Sequence, residues 1–131
     1  MSDIQECFFC VEKFNKAKDV FIIENEHFYA RWDQYPVSPG HALIIPKFHV
    51  ETYFDVINHN RMKWLDELLY EVKLIIDQEY EPDGYNIGIN QGEAAGQTIF
   101  HLHVHLIPRY KGDVENPIGG VRHIIPGKGN Y

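Results

Sequence analysis

The run Phe100-His101-Leu102-His103-Val104-His105-Leu106 alternates imidazole with aliphatic side chains. Side chains on a strand have a period of two. An extended chain here therefore puts His101, His103 and His105 on one face and Leu102, Val104 and Leu106 on the other, with about 6.6–6.8 Å from one imidazole to the next. The aliphatic face must pack on a core. Ordinary solvent faces draw on Thr, Lys, Glu and Ser, so three imidazoles in a row point to chemistry. Two chemistries stay open on the residues alone. His-x-His can grip one metal ion from one face, or the rings can act as nucleophile and proton carrier, since imidazole is neutral near pH 7 and nucleophilic.

The rest of the chain supplies the core for that strand. Between Arg61 and Tyr80, the residues Leu65, Leu68, Leu69, Val72, Ile75 and Ile76 recur at helical spacing, with Asp66, Glu67, Glu71, Lys73 and Asp77 opposite. Asn58 or Asn60 would cap this helix, and Pro82-Asp83-Gly84 would stop it. Strands are expected at Val20–Ile23, Phe28–Trp32, Ala42–Pro46, Tyr85–Asn90 and about Thr98–Ile107, with Asn25-Glu26 as a hairpin turn and 34–40 as a loop. The fully apolar Ala42–Pro46 should be central. Residues 7–18 read as a short helix or turn. The tail, 108–131, holds three of the seven prolines and five of the ten glycines and should be largely irregular. The 131 residues suit one domain, 1–131. The predicted class is α+β: an antiparallel sheet of about five strands, one long helix and a short N-terminal helix.

Composition removes several functions. Lys+Arg is 12 against 19 Asp+Glu, a formal charge of −7. Nucleic acid and anionic membranes both demand a basic footprint, so neither is an expected partner. No stretch approaches the roughly 20 apolar residues of a membrane span. The opening Met1-Ser2-Asp3-Ile4-Gln5-Glu6 has no basic region leading into an apolar run, so it does not read as a signal peptide. The only cysteines, Cys7 and Cys10, form C-x-x-C. A disulfide between them would close almost no loop. Zinc binding, a redox pair or two inert thiols remain, and all suit a reducing compartment such as the cytoplasm.

Directly upstream of the histidines lies Asn90-Gln91-Gly92-Glu93-Ala94-Ala95-Gly96-Gln97-Thr98. A glycine-bearing turn entering a strand can aim backbone N–H groups at an anion. Thr98 adds a hydroxyl and Asn90 an amide, the fixed donors that phosphate oxygens need. With these flanks, Ala95 through Arg109 resembles the signature of the histidine triad (HIT) family, His-φ-His-φ-His-φ-φ after a Gly-Gln-Ser/Thr step. Asp33 through Pro39-Gly40-His41, Leu43 through His49, and Asn90-Gln91-Gly92 resemble further segments of that family, in the family order across roughly residues 7–110.

The resemblance implies a nucleotide hydrolase or transferase acting at an α-phosphate. His103 would be the nucleophile, oriented by the backbone carbonyl of His101. His105 would donate to the leaving oxygen, and His41 would support it. Asn90, Gly96 and Thr98 would contact phosphate, with Gln97 part of the same motif, and Asp33 would take the ribose hydroxyls. A loop-capping Asp33 and a merely buried His41 are the plainer alternatives. The resemblance also implies a Cys2His2 structural zinc on Cys7, Cys10, His49 and His101, no organic cofactor, and a homodimer. The segment after the triad resembles the branch that hydrolyses dinucleoside polyphosphates, so a diadenosine polyphosphate is one expected substrate. An adenosine phosphoramidate and a non-catalytic purine-nucleotide-binding module are the alternatives. Arg109, Lys111 and Arg122 would either meet distal phosphates or be solvated charges. His27, His59 and His123 receive no role.

Overall fold

The computed structural model describes residues 7–131; the opening segment discussed above lies outside the described residues. The elements are α1 (Phe8–Glu12), β1 (Phe21–Glu24), β2 (Phe28–Trp32), β3 (Ala42–Pro46), α2 (Tyr53–Asn58), α3 (Met62–Tyr80), β4 (Gly84–Gly88) and β5 (Val104–Arg109), with 3-10 turns at Glu93–Ala95 and Gly120–Ile124. The strands form one antiparallel sheet in the order β1-β2-β3-β5-β4. This is the expected α+β class, with β3 in the centre. No helix among the described residues is long and apolar enough to cross a membrane.

The sheet is covered on both faces, which explains why β3 is apolar throughout and fully buried. On one face Leu102, Val104 and Leu106 join Phe28, Ala30 and Ile44 against Leu65, Leu68, Val72 and Ile76 of α3. On the other, Tyr29, Leu43 and Ile45 pack with Cys7, Phe9 and Cys10 from the N-terminal segment. The aliphatic half of the triad run is thus core, and its imidazole half faces the side that α1 covers.

Several local expectations need correction. β5 begins at Val104, not near Thr98, because its pairing with β3 ends at the Ile44–Val104 register. Upstream of that point the chain leaves the ladder, and the Leu102 N–H donates to the Val50 carbonyl at 2.7 Å. β4 ends at Gly88, so Asn90 stands past the strand end. Neither Asn58 nor Asn60 caps α3. Asn58 ends α2, Asn60 turns the chain with a left-handed φ of 56°, and α3 starts behind Arg61 without a side-chain cap. Helix α2 went unread in the sequence, although Thr52 and Asp55 form its capping box. The hairpin after β1 is tied by Asn25, whose Oδ1 accepts from the N–H groups of His27 and Phe28 at 3.1 and 2.9 Å. β5 runs on to Arg109, past the expected end at Ile107, so Pro108 and Arg109 of the tail pair with β4, and the rest of the tail is irregular apart from its single 3-10 turn.

Gly40 sets up the approach to β3. Its φ is +85°, and a Cβ there would stand 2.9 Å from Tyr80 Cδ2 and 3.3 Å from Ile76 Cγ2. Both the backbone conformation and the close approach to α3 require glycine. Gly40→Ala should lower unfolding stability by more than about 1 kcal/mol, read as a reduced urea midpoint with an unchanged slope.

Candidate active site and metal centre

The imidazole face of the triad run is divided between two jobs. His101 is fully buried. Its Nδ1 lies 3.3 Å from Cys7 Sγ, 3.4 Å from Cys10 Sγ and 3.2 Å from His49 Nδ1. Cys10 Sγ is also 3.2 Å from His49 Nδ1. Zinc bond lengths of about 2.0–2.3 Å give tetrahedral edges of about 3.3–3.8 Å, close to these separations. The tautomer fits too. His101 Nε2 sits 2.9 Å from the Pro46 carbonyl, which accepts its N–H and leaves Nδ1 free as a ligand. Cys7, Cys10, His49 and His101 form a closed Cys2His2 structural zinc site, with four protein ligands and no open position. Without the ion, burial and the neighbouring Cys7 push the Cys10 thiol up to about 11, so metal uptake must displace a proton.

His103 and His105 belong to the second job. The His101 carbonyl accepts a hydrogen bond from His103 Nδ1 at 2.9 Å, so a neutral His103 carries its proton on Nδ1 and keeps a lone pair on Nε2. His103 borders a cavity lined also by Phe8, Phe9, Arg31, Asp33, Leu43, Thr98, Ile99 and His105. The Phe9 ring is a wedge beside the triad, its centroid 6.0 Å from His101 and 4.9 Å from His103. The triad histidines do not share one metal: His101 groups with Cys7, Cys10 and His49, and His105 with Asp33 and His41.

The proton positions behind His105 follow from one unambiguous donor. The Val37 N–H donates to His41 Nδ1 at 3.1 Å, so a neutral His41 carries its proton on Nε2. That nitrogen lies 2.9 Å from His105 Nδ1 and 3.3 Å from Asp33 Oδ2. His105 Nδ1 therefore accepts, and His105 presents an Nε2–H. Burial, with the nearby His103 and His41, lowers the His105 pKa to about 4. Burial also lowers His41, against the opposing pull of the Asp33 carboxylate. His105 borders a second cavity as well, shared with His41, Asn90, Val37 and Ile107.

The loop residues divide in a way the sequence did not signal. Thr98 and Asp33 line the cavity of His103, and Asn90 lines the other. Gly92 and Gly96 hold φ of 88° and 92°, which shapes the turn. Gln97 is a correction. Its Nε2 donates to the carbonyls of Glu51 and Ile99 at 2.9 and 3.2 Å, and its Oε1 accepts from Gly92 N–H at 2.8 Å. Its side chain is spent on bracing the loop and does not face either cavity. Two of the basic tail residues are also committed. Arg109 binds Asp113 and Asn86, and Arg122 binds the Gly129 carbonyl and lies over Tyr131.

A model of the HIT domain matches residues 15–112. The chain belongs to the HIT family. "Protein hit" of Bacillus subtilis is 37% identical over 110 residues, covering 83% of this chain and 75% of that protein. The zinc-bound histidine triad family protein from Mycobacterium smegmatis is similar in structure at a TM-score of 0.74 and 32% identity, covering 87% and 82% of the two chains. The bis(5'-adenosyl)-triphosphatase of Dictyostelium discoideum is 37% identical over 82 residues, 62% of this chain and 54% of that one. Known hydrolases of the family support a hydrolase here.

Metal analysis of this HIT protein purified without chelator should find about one zinc per chain, and His49→Ala should lower both zinc content and thermal stability. A pH prediction follows from His105, which is faced by His103, His41 and Asp33. Its folded pKa lies below its unfolded value near 6.5, so the unfolded chain binds the proton first. The stabilisation is present above about pH 6.5 and is lost as pH falls towards 4. Nitrogen NMR at neutral pH should find His105 with a bare Nδ1 and a protonated Nε2, and this pattern should disappear on acidification through about pH 4.

Proposed function

We propose that this chain hydrolyses a nucleotide at its α-phosphate through a covalent nucleotidyl-His103 intermediate. The observation that carries the reading is the 2.9 Å bond from His103 Nδ1 to the His101 carbonyl. It commits Nδ1 as the donor and leaves the Nε2 lone pair free for phosphorus. That lone pair attacks the α-phosphorus, and the bond to the leaving oxygen breaks with its electrons. The His105 Nε2–H donates a hydrogen bond to the departing oxygen. Water then attacks the nucleotidyl-imidazole, the P–N bond electrons return to His103, and the water proton passes to the released group or to solvent. Thr98 and Asn90, which line the cavities of His103 and His105, take phosphate oxygens, and Asp33 takes the ribose hydroxyls; the Gly96 N–H, expected to join them, is spent on the Glu93 carbonyl at 3.0 Å. The zinc holds the fold and takes no part in these steps.

The leaving group we favour is a nucleoside phosphate from a dinucleoside polyphosphate; the Dictyostelium relative is named a bis(5'-adenosyl)-triphosphatase, one member of that class. A nucleoside phosphoramidate is the second reading. The lining of the second cavity favours it, since Val37, Ile107, Val121 and Ile124 bring no cation to meet distal phosphates. We also propose a homodimer in a reducing compartment such as the cytoplasm. Exposed Tyr70 and Leu74 on α3 and Ile87 on the edge strand β4 support pairing. Thiols committed to zinc support the compartment.

The test is turnover on a panel of dinucleoside polyphosphates, nucleoside phosphoramidates and nucleotide sugars. Wild-type protein should hydrolyse at least one class, and denaturing alkaline quenching should trap an acid-labile nucleotidyl-histidine adduct. His103→Ala should lose at least about a thousandfold in kcat while still binding nucleoside monophosphate. Wild-type rates in that variant would remove the mechanism, and binding without hydrolysis of any member would leave a binding module.

A further inference from the structure

Arg31 is a buried cation at the cavity of His103. It stands on β2 two residues before Asp33 and lines the same cavity as His103 and Thr98. Its side chain is only 7% exposed, and its partner Glu12 on α1 is 17% exposed. Nη1 is bonded to the Glu12 carboxylate, and Nε donates to the Trp32 carbonyl at 3.1 Å. The guanidinium lies 5.6 Å over the Phe8 ring. Nη2 has no hydrogen-bond partner among the described residues.

Stability gives little reason for this pair. The desolvation of two buried charges largely offsets their attraction, and an apolar residue of similar volume would pack as well. Nor is the pair needed to anchor α1, which the zinc ligands Cys7 and Cys10 already fix and whose Phe9 carbonyl accepts from Tyr29 Oη at 2.6 Å. What the pair does supply is an oriented fork of donors at the aromatic end of the cavity, with its charge balanced by Glu12.

We infer that Arg31, held by Glu12, reads the base of the substrate and selects a 6-oxopurine, guanine or hypoxanthine, over adenine. The inference rests on the nucleotide reading above and deepens it. With phosphate at His103 and Thr98 and the ribose at Asp33, the base lies among Phe8, Phe9 and Arg31. A guanidinium pairs naturally with the O6 and N7 acceptors of guanine, whereas adenine presents an amine donor at that edge. Donor would then face donor in a site shielded from water, and one of the two would lose its partner.

Calorimetric binding of GMP, IMP and AMP to the zinc-loaded protein tests this without requiring turnover. GMP and IMP should bind at least about tenfold more tightly than AMP. Arg31→Met should bring the three within about twofold, and Arg31→Lys, which keeps the charge but not the fork, should lose most of the preference. AMP binding as tightly as GMP in the wild type overturns the inference, whether or not either variant folds. A preference that survives in a folded, zinc-bound Arg31→Met protein also overturns it. Tight GMP with weak IMP would assign the selectivity to the 2-amino group and remove Arg31 from the role. If none of the three binds, the nucleotide reading itself falls, a result distinct from a flat base preference.

Discussion

The bond between the His101 carbonyl and His103 Nδ1 is the joint on which the site depends. His101 is engaged at every polar side-chain atom and at its carbonyl. Nδ1 faces the two thiols, Nε2 is held by Pro46, and the carbonyl orients the ring of the next triad histidine. A residue fixed by a metal cannot rotate, so the carbonyl beside it keeps its direction. The zinc centre therefore acts on the His103 ring through the backbone, and α1 contributes through the Phe9 ring packed against His101 and His103. The order of packing runs from the aliphatic half of the triad against α3, through the buried ligand, to the exposed ring nitrogen.

Electrostatics sharpen the picture. A chain of charge −7 that takes a polyanion, as we propose, would do so with neutral groups: the Thr98 hydroxyl, the Asn90 amide and the His105 imidazole, whose pKa burial lowers. Neutral groups are cheap to bury where fixed cations would each require desolvation. The one buried cation of the cavity, Arg31, comes with its own counter-charge. The hydrogen bonds from Val37 through His41 to His105 have a fixed direction because a backbone amide at one end can only donate.

Much of this was readable in the sequence, for identifiable reasons. The period of two in residues 101–106 and the helical stripe of 65–76 are each imposed by one packing surface, so pattern alone gave sheet, helix and their contact. The ligands of the metal centre and the pairing of His41 with His105 were reached through resemblance, since no spacing rule joins Cys7 to His101, whereas the placement of the Asp33 carboxylate 3.3 Å from His41 came only from the structure. What escaped depends on tertiary pairing. The start of β5 is set by where β3 runs out of partners, and Gln97 turns inward because Glu51, Ile99 and Gly92 happen to surround it. Arg109 sits beside Asp113 only once the chain has turned. The unassigned histidines also have local partners. His27 packs on Trp64, His59 on Phe48, and His123 bonds to the Ile118 carbonyl.

The metal centre joins Cys7 to a ligand 94 residues further along the chain. Seen as a matter of timing, the two thiols are synthesised well before their last ligand, His101. Through most of chain elongation the cysteines have at most each other and, after His49, one imidazole. The four-ligand set becomes available only when the triad itself has been made. Closure of the centre therefore reports that the N-terminal segment and the triad run are both in place, and the His103 ring is oriented in the same event.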